Sequence, residues 1–239
     1  MNPAGAIAHS ELILGGQKSG KSRRAEQLAR QWLAESNAHR AVLIATGQAW
    51  DAEMAARIER HQKERAERVP GLLTVEEPRD LAGALARVSS PQALVVVDCL
   101  TLWLTNWLMP APSVGDAGDR AGPHPRPLPG GEGVIPAQPI ALAPLGRGRG
   151  EGLLPSEIEK KSAKMQCWPT QSALFFEALQ TAPGPVVLVG NEIGLGVIPL
   201  GREVRAFVDA LGCLNQQAAQ ACTRVTLMVA GLPMTVKAA

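Results

Sequence analysis

Short apolar runs and helical-period stripes alternate along this chain. The runs at residues 12–14, 41–45, 94–97, 185–190 and 225–229 are continuous, without the in–out alternation of a half-solvated strand. Runs of that kind predict strands buried on both faces, as in a parallel sheet. A weaker run at 72–75 predicts one more short strand, and 225–229 is expected to be the last. Between them the period changes. Ala25, Leu28, Ala29, Trp32 and Leu33 fall on one face of a helix over 22–34. Asp51 is placed to cap a helix running to about residue 68, and Asp80 one through 88. Residues 100–109 and 202–221 also read as helices, the second with a break near Gly212. Strand and helix in alternation predict an α/β fold, a mostly parallel sheet with helices on both faces.

One stretch departs from this rhythm. Residues 110–155 hold ten of the nineteen prolines and ten of the twenty-four glycines, and they carry no periodicity that would bury a face. The expected organisation is a single domain over 1–239. Its core is 11–110 and 168–237, and a Pro/Gly-rich mobile insertion interrupts it at about 111–165. The exit of the insertion, 156–165, has helical character.

Composition narrows the function classes. A formal net charge of +2 gives no basic surface for general nucleic-acid binding. Cys99, Cys167, Cys213 and Cys222 form no C-x-x-C pair and suit no common zinc spacing; reduced thiols are expected. The most apolar window, 93–109, is broken by Asp98, Thr101, Thr105 and Asn106, so it reads as strand plus helix and not as a membrane span. The opening MNPAGAIAHSE shows no basic-then-apolar leader. A cytoplasmic location is the expectation.

Chemistry enters at the end of the first strand. Gly15, Gly16, Gln17, Lys18, Ser19, Gly20, Lys21 and Ser22 spell G-x-x-x-x-G-K-S between a predicted strand and a predicted helix. That context marks a phosphate-binding loop, which makes the expected α/β fold P-loop NTPase-like and the expected domain a nucleotide-binding one. Its backbone N–H groups can converge on an anion, and the helix that follows adds its positive end. Lys21 can reach the β- and γ-phosphates, and the Ser22 hydroxyl can ligate Mg²⁺. Asp98 closes the run LVVVD, where an acid that holds the metal or its water belongs.

A second candidate lies on the helix after the second strand. Met54, Ile58 and His61 share one face, and Arg57 and Arg65 stand four residues either side of the histidine. Such arginines can grip phosphate oxygens and favour a neutral imidazole, which a histidine nucleophile requires. After the strand at 185–190, NEIGLGVIP begins at the carboxyl edge where open α/β sheets bind ligands. Asn191 and Glu192 could face a substrate there. Asn215 and Gln216 read as helix-bridging residues, and Trp103 and Trp107, four apart, as core or subunit contacts.

Taken together, GGQKSGKS (15–22), IATGQAWDAEMAARIERH (44–61), VVVDCLTLWLTN (95–106), VVLVGNEIGLGVIP (186–199), GREVRAFVDALGCLNQQAA (201–219) and the closing VAGLPMTVK resemble the bifunctional adenosylcobinamide kinase and adenosylcobinamide-phosphate guanylyltransferase family of cobalamin biosynthesis. The resemblance implies two reactions. Adenosylcobinamide is phosphorylated with ATP or GTP, and GMP then passes from GTP to that phosphate through a guanylylated histidine, with Mg²⁺. It implies that His61 is the nucleophile and that Gly15–Ser22 form the phosphate loop. It further implies that Thr46, Gly47, Gln48, Gln62, Lys63, Glu64, Arg65, Glu76 and Asp98 lie at the nucleotide. Glu77, adjacent to Glu76, is an alternative for that acid. It also implies a homo-oligomer, with a trimer as one candidate. A P-loop kinase of another small alcohol and a non-catalytic nucleotide-dependent binding protein are the competing readings.

Overall fold

The computed structural model describes residues 6–49, 52–109, 155–197 and 199–238, and the side chains of Arg57 and residues 155–167 lie outside it. The expected cap Asp51 and almost all of the expected insertion also fall outside the described residues. In chain order the elements are β1 (Ser10–Gly15), α1 (Lys21–Glu35), β2 (Arg40–Ala45), α2 (Ala52–Arg68), β3 (Leu72–Glu76), α3 (Leu81–Val88) and β4 (Ala93–Asp98). They continue with α4 (Leu100–Leu108), α5 (Pro155–Thr181), β5 (Val186–Val189), α6 (Arg202–Ala221), β6 (Arg224–Val229) and β7 (Leu232–Lys237). The chain divides into two compact units: one holds the described residues within 6–109 and 161–238, and of the other only residues 155–160, the start of α5, are described.

The sheet order is β3-β2-β4-β5-β1-β6-β7. Every pairing is parallel except β6 with β7. Both faces are covered, which is why the strand sequences are continuously apolar. Successive residues of β4 divide between the faces. Val95 and Val97 pack with Leu81, Leu85, Trp103, Phe175 and Leu214 from α3, α4, α5 and α6. Leu94 and Val96 pack with Ala25, Leu28 and Ala29 of α1 and with Val69 just past α2. Trp103 is completely buried. Its indole N–H donates to the Arg79 carbonyl at 2.8 Å, and its ring meets Trp168 and Phe175 at 4.7 and 5.0 Å. It is a core residue.

The structure departs from the sequence reading in three places. Residues 168–181, to which no element was assigned, are helical within α5. Helix α6 runs unbroken through Gly212, because tertiary packing of Leu211, Leu214 and Ala218 on the sheet outweighs the roughly 1 kcal/mol cost of one helical glycine. The last strand is β7, not β6. A turn at Ala230 and Gly231, with φ of 50° and 82°, folds β7 back antiparallel along β6. All six β7 side chains are exposed, so no buried stripe announced it. Lys237 fixes its end by donating to the carbonyls of Ala219, Gln220 and Cys222 at 3.0, 3.3 and 2.6 Å. That cation caps the open carbonyl end of α6.

Burial also separates the cysteines. Cys99 and Cys222 are buried and Cys213 is exposed, all three as free thiols. Burial pushes the Cys99 thiol up to about 11 and the Cys222 thiol up to about 12. Thiols with raised pKa stay protonated, and only the thiolate is nucleophilic. Iodoacetamide treatment of the folded protein at mildly alkaline pH should therefore modify Cys213 and spare Cys99 and Cys222, read by peptide mass spectrometry. Labelling of Cys99 as fast as Cys213 would contradict the packing described.

Candidate functional site

The parallel register lines up the ends of five strands. Glu76 pairs with Ala45, Ala45 with Asp98, Asp98 with Val189 and Val189 with Ile13. Every loop that leaves the sheet just beyond this row opens on the same edge. Those loops carry the residues after Gly15, Ala45, Glu76, Asp98 and Val189, which include most of the candidates drawn from sequence. The carboxyl edge of an open parallel sheet is where such folds bind ligands.

The phosphate loop is short and tied at several points. Ser19 N–H donates to Gly16 O at 3.3 Å, and Arg24 N–H to Gly20 O at 3.0 Å. Lys18 and Gly20 have φ of 55° and 97°, so the chain curls through left-handed conformations before α1 starts. A Cβ on Gly15 would lie 2.5 Å from Ser19 Oγ and 2.7 Å from Met228 O, so that position takes no side chain. The hairpin after β6 steadies the loop, with Gly231 N–H donating to Ser19 O at 3.1 Å. Lys21 is buried, and its ammonium donates to Gly16 O at 2.6 Å. Burial lowers its pKa, opposed by the nearby Asp98 carboxylate. Gly16, Gln17, Lys18 and Ser22 are exposed. Outside the loop, Lys18, Arg23 and Arg24 line a cavity of about 400 Å³. Arg24 is anchored there by the buried Glu11 carboxylate at 3.8 Å.

Asp98 is half-buried at the end of β4, one strand removed from β1. Thr46, on the neighbouring β2 loop, is fully buried. Its hydroxyl donates to Cys99 O and accepts from Cys99 N–H, both at 2.8 Å. Its N–H donates to Asp98 O at 3.2 Å. Its carbonyl accepts from Asn106 Nδ2 at 2.8 Å, and the same amide reaches Pro78 O at 3.0 Å. Thr46 thus braces the turn that aims Asp98, with its polar groups taken up by protein. Asn106 was missed from sequence as a site-building residue. Its only signal was an amide in an otherwise apolar helix. Gly47 lies beside Leu102 and Ile58, and Gln48 is at the surface.

Helix α2 brings the second set. His61 and Lys63 are exposed. Gln62 donates through Nε2 to Glu76 Oε1 at 3.1 Å, so two candidates far apart in sequence meet. Glu77 is used otherwise: its carboxylate accepts from the N–H groups of Arg79 and Asp80 at 3.0 and 2.9 Å and pairs with Arg87 at 3.5 Å. The Arg65 guanidinium pairs with the buried Glu26 of α1 at 3.7 Å. Glu26 also accepts two bonds from Arg68, at 2.8 and 3.2 Å, and Glu64 pairs with Arg68 at 3.3 Å. The C-terminal half of α2 is clamped to α1, while the turn carrying His61 stands in solvent.

The loop after β5 touches the phosphate loop directly. Gly190 N–H donates to Ile13 O at 3.0 Å and Glu192 N–H to Gly15 O at 3.1 Å. Asn191 N–H donates to Thr101 Oγ1 at 2.9 Å. From α6 the buried Asn215 amide donates to Asn191 O at 3.1 Å and to Glu192 Oε2 at 3.4 Å. Beyond Glu192, a largely apolar cavity of about 440 Å³ opens between the loop and α6, with Ile193, Val197, Val208 and Gly212 in its wall.

Among the described residues no group of three or more His, Cys, Asp or Glu side chains could hold a metal ion by itself. Ser22 and Asp98 offer hard oxygen donors, a set suited to a cation held chiefly by phosphates and water. No helix among the described residues is long and apolar enough to cross a membrane.

The bifunctional adenosylcobalamin biosynthesis protein CobP of Pseudomonas aeruginosa is 38% identical over 228 residues, covering 95% of this chain and 96% of that protein. The protein of the same description, CobU, from Escherichia coli K12 is 32% identical over 226 residues, covering 95% and 98%. Among solved structures, the flagellar accessory protein FlaH of Methanocaldococcus jannaschii aligns over 98% of this chain and 81% of that one, with a TM-score of 0.43 and 10% identity. The family model described as cobinamide kinase / cobinamide phosphate guanyltransferase matches residues 11–236. With the phosphate loop, the acid at the end of β4 and the histidine helix all inside that span, the chain is a member of the cobinamide kinase / cobinamide phosphate guanyltransferase family.

Proposed function

We propose that this protein phosphorylates adenosylcobinamide with ATP or GTP and then transfers GMP from GTP to the resulting phosphate, releasing pyrophosphate. The observation that carries the reading is the aligned strand row. It puts the phosphate loop, Asp98 and Glu76 on one sheet edge, and Gln62, next to His61, is bonded to Glu76. In this reading the phosphate chain lies on Gly15–Ser22. The nucleoside extends toward the β2 and β3 ends, where Gly47, Gln48, Gln62, Lys63, Glu64 and Glu76 serve it. Glu76 is preferred to Glu77 because the Glu77 carboxylate is committed to the start of α3. Thr46 and Arg65 act as braces, through Cys99 and Glu26 respectively.

His61 is the nucleophile of the second reaction. Its ring nitrogen attacks the α-phosphorus of GTP, the bond to pyrophosphate breaks, and an oxygen of adenosylcobinamide phosphate then displaces the imidazole. The exposure of His61 leaves its ring nitrogens accessible for this. Lys21 moves from Gly16 O to the phosphate oxygens, where its charge answers the negative charge of the leaving group. Mg²⁺, held by Ser22, Asp98 and the phosphates, supplies charge neutralisation when bound. We further propose that the core is 11–110 with 168–237, that the protein is cytoplasmic, and that it works as a homo-oligomer. In support of the last, Leu232, Met234 and Val236 form an exposed apolar row on the edge strand β7. Gel filtration with light scattering should give a multiple of the 25.2 kDa chain mass; a strictly monomeric species would remove that part.

Incubation with GTP labelled on the α-phosphate tests the central claim. Acid-labile, base-stable label should appear on the protein and be absent from His61→Ala. That variant should lose guanylyl transfer by roughly four orders of magnitude or more while keeping measurable kinase activity. Label retained in the variant would refute the assignment. Lys21→Ala should lower both activities by about a hundredfold to a thousandfold. Full activity of either kind would break the claim of one shared phosphate site.

A further inference from the structure

The two reactions make different demands on the acceptor side. In guanylyl transfer the acceptor is a phosphate, already anionic at neutral pH. In the kinase step the acceptor is an alcohol, and its proton must leave as the new O–P bond forms. The nucleotide-side groups do not meet that need. Glu76 lies at the far edge of the sheet and accepts from Gln62, and Asp98 serves the phosphates.

A third carboxylate stands at the same edge. Glu192 follows β5, the strand hydrogen-bonded directly to β1, and its own N–H donates to Gly15 O at 3.1 Å. Its backbone therefore lies against the start of the phosphate loop. The carboxylate is held by two neutral donors. Gly194 N–H gives to Oε1 at 3.0 Å, and Asn215 Nδ2 gives to Oε2 at 3.4 Å. Among the described residues no ion pair takes up its charge. One bond to each oxygen leaves each a further acceptor site. Asn215 is itself buried and its amide also grips Asn191 O, so the orienting donor is fixed before any substrate arrives. The apolar cavity begins at the next residue, Ile193. Leu195, Val197 and Leu200 leave the same loop almost wholly exposed, a surface suited to a bulky acceptor that must present one hydroxyl.

Resting on the functional reading above, we propose that Glu192 is the general base of the kinase half-reaction alone, with the acceptor seated in the cavity that the 193–197 loop and Pro199 form with α6. The acceptor hydroxyl oxygen forms a bond to the γ-phosphorus while the bond from that phosphorus to the β–γ bridging oxygen breaks. The hydroxyl proton passes to the Glu192 carboxylate, and the nucleoside diphosphate leaves with the bond's electron pair. A base of this kind contributes about a hundredfold to ten-thousandfold.

The test uses the full chain and two separate assays: phosphorylation of adenosylcobinamide by ATP, and GMP transfer from GTP to adenosylcobinamide phosphate supplied ready-made. Glu192→Gln should lower the kinase kcat by at least about a hundredfold, with KM for ATP and the rate of GMP transfer unchanged. Undiminished kinase activity would overturn the proposal. So would an equal fall in both assays, which is what a mere loop brace would give. Should Glu192→Gln fail to fold, Glu192→Asp carries the same comparison: a selective kinase loss supports the base, and a parallel loss overturns it. Wild-type protein inactive in both assays would instead bring down the functional reading itself, an outcome separate from either result with the variants.

Discussion

Everything at the site is hung on the common register of β3, β2, β4, β5 and β1. Parallel strands paired in step finish together, so five separate loops begin within one narrow row. Side-chain orientation along a strand has a period of two, and a slip of one residue would invert it. Here the faces are pinned by two apolar clusters, one against α1 and the other against α3, α4, α5 and α6. A slipped strand would turn residues such as Val95 and Leu94 to the wrong cluster and carry Asp98 out of the row. Core packing and site geometry are the same constraint seen from two directions.

Beyond the row, buried polar groups do the aiming. Thr46 closes on both backbone groups of Cys99. Asn106 ties the β2 and β3 loops together, and Asn215 ties α6 to the β5 loop. Each of these groups would be costly to bury without a partner, so each bond ties loop position to folding of the core. The phosphate loop is treated likewise: Gly231 and Glu192 hold its two ends from opposite sides. A loop backbone braced in this way keeps its shape when charge develops, which is the setting in which electrostatic stabilisation is strongest.

Helix α2 is built differently. It is mostly charged and exposed. Its attachments include Ile58 near Gly47, the Gln62–Glu76 bond and the Glu26 clamp on Arg65 and Arg68. A helix fixed by a few polar contacts has a lower local stability than one bedded in a core. That contrast places His61, the proposed nucleophile, on a largely exposed helix and the proposed phosphate-binding groups on a firmly tied loop.

The sequence alone determined the alternation of strand and helix, the doubly covered sheet, the phosphate loop and the acid at the end of β4. Those features are written in local signals: continuous apolar runs, a 3.6-residue stripe, and glycines spaced around Lys21. His61 was legible as a candidate through its flanking Arg57 and Arg65, but its role and the neighbours Gln62, Lys63 and Glu64 came only through resemblance, because an exposed histidine on a charged helix carries little local mark. Tertiary structure alone decided that Gln62 meets Glu76, that Glu77 is spent on α3, that Arg65 turns to Glu26, and that Asn215 orients Glu192. In each case the partner lies on a different element, and no local pattern encodes which side chains two elements bring together. Strand β7 was equally invisible. Its pairing is set by the turn at Ala230–Gly231 and by Lys237 reaching the end of α6, not by any face it buries.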